Sequence, residues 1–300
     1  MRAGFGRRAF SRFVFGAGAV FATGGVKLAW AEDEGAFGET VQPDLVRLLP
    51  PEITKSKTIT VAVALGSPPD DFRNANGEIS GWEIDILKAV AASLGLKLNL
   101  RPTTFDALIP GLKSRRFDAA VGQIGLTEVR EKVVDMVGTL TGNELFAARA
   151  GSDIKVANLD DICGVTVATT RGSREYEFAL AHQARCKALG KKPINVLTFN
   201  SGTDAADALM SGRAELFWIG STAVSYFVRQ SKGRAKVVGS YTDKAYIGIA
   251  LPKGSTFVPA LQAAIQHLID DGTYAKIVKK WGLESGAIRK VPVNPKGAPT

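Results

Sequence analysis

The sequence predicts an α/β protein made of two units of similar size, each a mostly parallel sheet flanked by helices. Two observations carry that reading. From Thr58 onwards, short apolar runs bounded by turn residues alternate with segments whose apolar residues recur at helical spacing. The alternation runs once to about residue 150 and again beyond it, and strands alternating with helices imply parallel strands joined by right-handed crossovers. A chain of 300 residues, 45% of them hydrophobic, can bury the core of one large domain or two lobes.

Residues 1–31 read as a signal peptide. The adjacent Arg7 and Arg8, followed by Phe10, precede the apolar "FVFGAGAVFATGGV", and "AWA" offers a cleavage site after Ala31. The paired arginines make it twin-arginine-like, with a general secretory signal as the alternative; either route takes the mature chain out of the cytoplasm. The segment holds Arg2, Arg7, Arg8, Arg12 and Lys27 and no acid, so removing these five charges from the net +9 leaves +4. That remainder is too mild to indicate a nucleic-acid partner. Cys163 and Cys186 are the only cysteines, and outside the cytoplasm they read as one disulfide, with two free thiols as the alternative. With His182 and His267 the only histidines, no metal site is expected, and no motif indicates a cofactor.

Residues 32–56 carry acids and prolines without a sustained period and read as a leader packed loosely on the body. "TITVAVAL" then predicts a buried strand, "GWEIDILKAVAASLG" a helix stopping at Gly95, and "LKLNLRP" a strand. "TFDALIPGLKSRRF" predicts a helix, "DAAVGQ" a short buried strand and "TEVREKVVD" the start of a helix. In the second unit "GVTVATT", "PINVLTF", "ELFWIG" and "AKVVG" are strands, separated by helices over "SREYEFALAHQARCKALG", "TDAADALMSG" and "STAVSYFVRQ". "AYIGIALPKG" is extended, two helices divided at Asp271-Gly272 follow, and 286–300 form a tail. Ligands of open α/β sheets bind beyond the carboxyl ends of the strands, so two such units face to face would frame a cleft.

Several residues fall where that cleft would lie. Gly122, Gln123 and Gly125 end a strand in small or polar residues that let a ligand approach the backbone. With Thr127 as N-cap, Arg130 stands at the third helical position, where a guanidinium and free N–H groups could grip a carboxylate; a solvated surface arginine is the alternative. Gly172-Ser173 opens a helix after a strand, as an anion site or as a plain cap. Phe105 could stack on a ligand, whereas Trp218, in a run apolar throughout, reads as core. "SPPDDF" brings Asp70 and Asp71 to the end of the first strand, facing the cleft.

These residues resemble the periplasmic solute-binding proteins of ABC importers for polar amino acids, family 3. The resemblance spans about residues 57–283, through "GEISGWEIDILKAVAASLGLKL", "FDALIPGLKSRRFDAAVG", "LTEVREKVVD", "LMSGRAELF", "YIGIALPKG" and "LIDDGTYAKIVKKWGL". It implies a two-lobed periplasmic-binding-protein fold of type II, with lobe 1 at 57–146 plus 246–285 and lobe 2 at 150–243. The hinge crossings would lie near 145–150 and 243–248. It implies that Arg130, with Thr127, pairs with the ligand's α-carboxylate, that Phe105 stacks on the ligand, and that Gly122, Gln123, Gly125 and Ser173 contact it. Two departures stand out: the aspartate that receives the α-ammonium in the family falls at Gly220, and the family's "Y-x-P-F" loop carries Ser67 and Asp70 instead. Asp70 or Asp71 is the expected substitute acid.

The expected function is therefore capture of a small carboxylate-bearing solute, an amino acid or related compound, in the periplasm. The protein would act as a monomer, without catalysis, and would deliver its ligand to a membrane permease. A dehydratase-like enzyme on the same fold and an accessory protein of a periplasmic oxidoreductase are the alternatives.

Overall fold

The computed structural model describes residues 37–295. The segment read as a signal peptide, the first residues of the expected leader and the end of the expected tail lie outside them. None of the helices it describes is long and apolar enough to cross a membrane.

The leader forms two short helices, α1 (Pro43–Val46) and α2 (Pro51–Ser56), each with proline in its first turn, where the missing N–H would be unpaired in any case. It packs more tightly than its composition suggests. Ile53 is 5% exposed, and Phe37, Leu45 and Leu49 lie against the first core. Leu45, Leu49 and Ile53 keep a four-residue spacing that the two prolines interrupt.

β1 (Thr58–Ala64) leads through the two-residue strands β2 (Phe72–Arg73) and β3 (Ile79–Ser80) to α3 (Trp82–Ser93). Gly81 begins that helix at φ 143°, where a Cβ would come within 2.0 Å of the Asp70 carbonyl oxygen, so only glycine fits. Then come β4 (Lys97–Thr103), α4 (Phe105–Lys113), β5 (Ala119–Gly125), α5 (Glu128–Glu131) and β6 (Val134–Arg149). The second half adds β7 (Thr166–Thr170), α6 (Arg174–Ala188), β8 (Asn195–Phe199), α7 (Gly202–Met210), β9 (Leu216–Gly220) and α8 (Ser221–Gln230). β10 (Ala235–Pro252) returns to the first half, where α9 (Val258–Asp270) and α10 (Thr273–Trp281) cover its core.

Two expectations change here. The helix at Thr127 is a single turn, because the β-branched pair Val133-Val134 carries the chain directly into the 16-residue β6. The sheet is also less parallel than the alternation implied: its order is β4-β1-β5-β10-β6-β9-β7-β8, parallel on both flanks and antiparallel through β5, β10, β6 and β9. A chain that enters the second half along one strand and leaves along its neighbour must run the two in opposite directions.

Each half has its own core. Trp82, Ile84, Leu87, Leu261 and Leu268 are buried in the first, while Phe146 and Trp218 stack with ring centroids 4.6 Å apart in the second. Cys163 and Cys186 form a disulfide with a Cα–Cα distance of 5.6 Å, tying the segment before β7 to the last turn of α6.

Candidate functional site

The carboxyl ends of β1, β5, β7 and β9 meet around a small cavity of about 50 Å³ between the two halves. From the first half Phe105, Gly122, Gln123, Gly125 and Arg130 line it; from the second come Ser173, Arg174, Glu175 and Gly220, with Asn143 and Glu144 on the crossing strand β6. The halves also touch at the rim. The Gly202 N–H donates to Ser67 Oγ at 3.3 Å and the Thr203 N–H to the Gly66 carbonyl at 2.9 Å.

Arg130 is 5% exposed. Thr127 caps α5 by accepting from the Arg130 N–H at 3.2 Å, which turns the side chain inward. Nη1 donates to the Gly125 carbonyl at 3.0 Å and Nη2 to the Gly172 carbonyl of the other half at 3.5 Å, while the guanidinium carbon lies 5.5 Å from the Phe105 ring centroid. No carboxylate among the described residues forms an ion pair with it. Burial pulls its pKa below the ordinary arginine value, and the charges of Glu177 and Glu175 pull it back up. An arginine stays protonated under such shifts, so the site holds a buried cation. With α5 only one turn long, the guanidinium rather than a helix dipole supplies the attraction for an anion.

The floor of the site has an unusual backbone. Gly122 (φ 153°) has no room for a Cβ, which would lie 2.7 Å from the Ala64 Cβ. Gln123 is left-handed at φ 56°, held by its N–H bond to Glu83 Oε2 at 2.8 Å. That conformation swings the Gln123 amide across to the second half, where Nε2 donates to Thr222 Oγ1. The amide occupies the space beside Gly220: a Cβ there would come within 2.2 to 2.4 Å of its atoms. The missing aspartate and the glutamine are thus two sides of one packing arrangement.

Asp70 lies behind the cavity wall rather than on it. It is 0% exposed, and its Oδ1 accepts from Trp82 Nε1 at 2.6 Å. Burial pushes its pKa up to about 7, against the pull of hydrogen bonds from Thr222 and Trp82. Asp71 and Glu83 are buried beside it; burial and neighbouring negative charge raise both, Glu83 to about 8. These carboxyls support the Gln123 turn from behind.

The acids that do line the cavity are Glu144 and Glu175, and Arg174 accompanies Arg130 as a second arginine. Arg174 Nη2 ion-pairs with Glu144 Oε1, both side chains being largely buried. None of the three was expected. Arg174 directly follows Gly172-Ser173, so its place at the helix start was available as a signal. Glu144 reaches the site through the β6–β9 ladder, in a strand whose partner the sequence does not announce. Ser173 both lines the cavity and caps α6, accepting from the Tyr176 N–H at 3.3 Å.

Comparison with known proteins identifies the family and the fold. The family model for bacterial extracellular solute-binding proteins, family 3, matches residues 59–284. The arginine-binding protein ArgT of Corynebacterium glutamicum is 30% identical over 255 residues, 84% of this chain and 83% of the relative. An L-arginine-binding protein of Pseudomonas aeruginosa is 26% identical over 240 residues, 77% of this chain and 90% of its own. Among solved structures, an ancestral arginine-binding protein bound to arginine matches with a TM-score of 0.67 at 30% identity, over 75% of this chain and 98% of its own. The fold is the two-lobed one of periplasmic binding proteins, and the chain belongs to the bacterial extracellular solute-binding proteins, family 3.

Proposed function

We propose that the protein is the periplasmic receptor of an ABC importer and captures an amino acid by its α-carboxylate on Arg130. The observation that carries this reading is a buried guanidinium whose partners among the described residues are backbone carbonyls at 3.0 and 3.5 Å, in a cavity between two halves. A buried charge needs a counter-charge, and a ligand carboxylate supplies it with bidentate geometry. L-Arginine is the first ligand to test, since the relatives described above are named for it. The enzymatic and accessory readings draw no support from those relatives.

The two lobes close over the ligand and present a continuous surface to the permease, with one copy of the chain as the working unit. We place the first hinge crossing at residues 142–143, a few residues before the position expected from sequence, because β9 pairs with β6 from Glu144 onwards. A thermal-shift and calorimetric panel of L-amino acids tests the ligand class. A hit should raise Tm with the logarithm of its concentration above Kd, and Arg130→Ala should weaken it at least about 100-fold, the scale of leaving one partner of a buried pair alone. A panel without hits, or a hit indifferent to Arg130→Ala, would sink the reading.

A further inference from the structure

The cavity leaves one half of a zwitterion unaccounted for. Gly220 has no carboxylate to offer an ammonium group, and Asp70, the expected substitute, is engaged by Trp82 behind the wall. The negative pole of the cavity lies one strand to the side. In the β6–β9 ladder, Glu144 is the residue directly opposite Gly220, it is 2% exposed, and it lines the cavity. Cross-strand neighbours have Cβ positions roughly 5 Å apart, so a glutamate on one strand can reach the place an aspartate on the next would serve.

Glu144 already holds a cation, the Arg174 guanidinium, which enters from the start of α6. A Cβ at Gly125 would lie 3.4 Å from the Arg174 Cζ, while the Gly125 carbonyl accepts from Arg130. Both arginines therefore lie against Gly125, the anion-seeking Arg130 on its carbonyl and the cation seated on Glu144 beside its α-carbon. With the guanidinium in place the cavity measures about 50 Å³, and since each water needs on the order of 10–15 Å³ by this measure, it has room for a few waters and no more.

We infer that Glu144 is the acceptor for the ligand's α-ammonium in this protein, and that Arg174 is an internal placeholder which the ligand displaces. The inference rests on the amino-acid reading for the identity of the ligand, but not for the existence of the cation site. Where it stands, Arg174 is favoured by the charges of Glu175 and Glu177 and disfavoured by that of Arg130. The specificity that follows is for zwitterions over deaminated acids, despite the glycine at 220.

Two arms of one experiment separate the site from the ligand class. In Arg174→Ser, methylammonium or methylguanidinium at about 20 mM should raise Tm by several degrees relative to sodium at equal ionic strength. The rise should vanish when Glu144→Gln is added and persist when Glu175→Gln is added instead. A single variant without the rise, or a rise lost with Glu175→Gln and kept with Glu144→Gln, overturns the assignment.

In the second arm, L-arginine and its deaminated analogue 5-guanidinopentanoate are titrated into the full protein. Glu144→Gln should weaken L-arginine by about 10-fold or more and the analogue by less than about 3-fold, while Arg174→Ser tightens L-arginine. Equal losses for both compounds also overturn the proposal. If neither compound binds the parent protein, L-arginine as ligand falls, and the small-cation arm still decides the role of Glu144.

Discussion

Replacing Asp70 by asparagine should flatten the dependence of stability on pH. Asp70 is fully buried, and its pKa is raised from 3.8 to about 7, chiefly by burial. Between those values the folded protein keeps a proton that the unfolded chain has lost. The stability contributed by this carboxyl is therefore fully present below about pH 4 and is lost as pH rises through about 7. From about pH 5 to about pH 8 the group passes through two pK units before it ionises in the folded state, a loss of about 3 kcal/mol.

Asparagine keeps an acceptor for Trp82 Nε1 and has no proton to lose. It also removes one of the negative charges that raise Asp71 and Glu83, so the remaining slope shrinks as well. Asp135, which its hydrogen bonds from Lys253, Asn294 and Gly254 hold low against burial, slopes the other way but is common to both proteins and cancels in the difference. Urea unfolding followed by tryptophan fluorescence at three pH values gives the comparison. Parallel profiles for the parent and Asp70→Asn, or a parent that grows more stable with pH relative to the variant, would refute the reasoning.

Other outcomes follow from named contacts. Gly220→Ala places a methyl on the Gln123 amide and should cost about 1–3 kcal/mol, with Gln123→Ala recovering most of it in the double variant, as a double-mutant cycle in urea would measure. Cys163→Ala with Cys186→Ala opens a loop whose ends are 23 residues apart in sequence, worth about 3 kcal/mol in the chain-entropy model, and calorimetry should record a matching fall in Tm. Gly125→Ser adds a side chain to the lining of a cavity of about 50 Å³, and by filling the space a ligand needs should weaken the binding of any amino-acid ligand found in the panel.

Most of the strands and helices were legible because each is a short segment with its own period. The long β6 was not: "VDMVGTLTGNELFAAR" is buried on both faces over much of its length and so shows neither alternation nor a helical stripe. The candidate site was legible where placement depends on local sequence, as at Thr127 and Arg130, where a cap three residues before a charge fixes the direction of the side chain. It was illegible where placement depends on what lies across a ladder or a cleft. Glu144 reads as an ordinary strand residue until its register with Gly220 is known, and Asp70 reads as facing the cleft until Trp82 is seen to engage it.

The two strands that join the halves differ in length where they cross. Pairing runs from Tyr241 opposite Glu144 to Ala245 opposite Gly142, so β10 spends four residue steps on a span that β6 covers in two. One connection is shorter than the other. In the hinge proposed above, the shorter path at residues 142–143 sets the pivot between the halves. Gly142, Asn143 and Glu144 all line the cavity, so the proposed pivot is also part of the wall the ligand would meet.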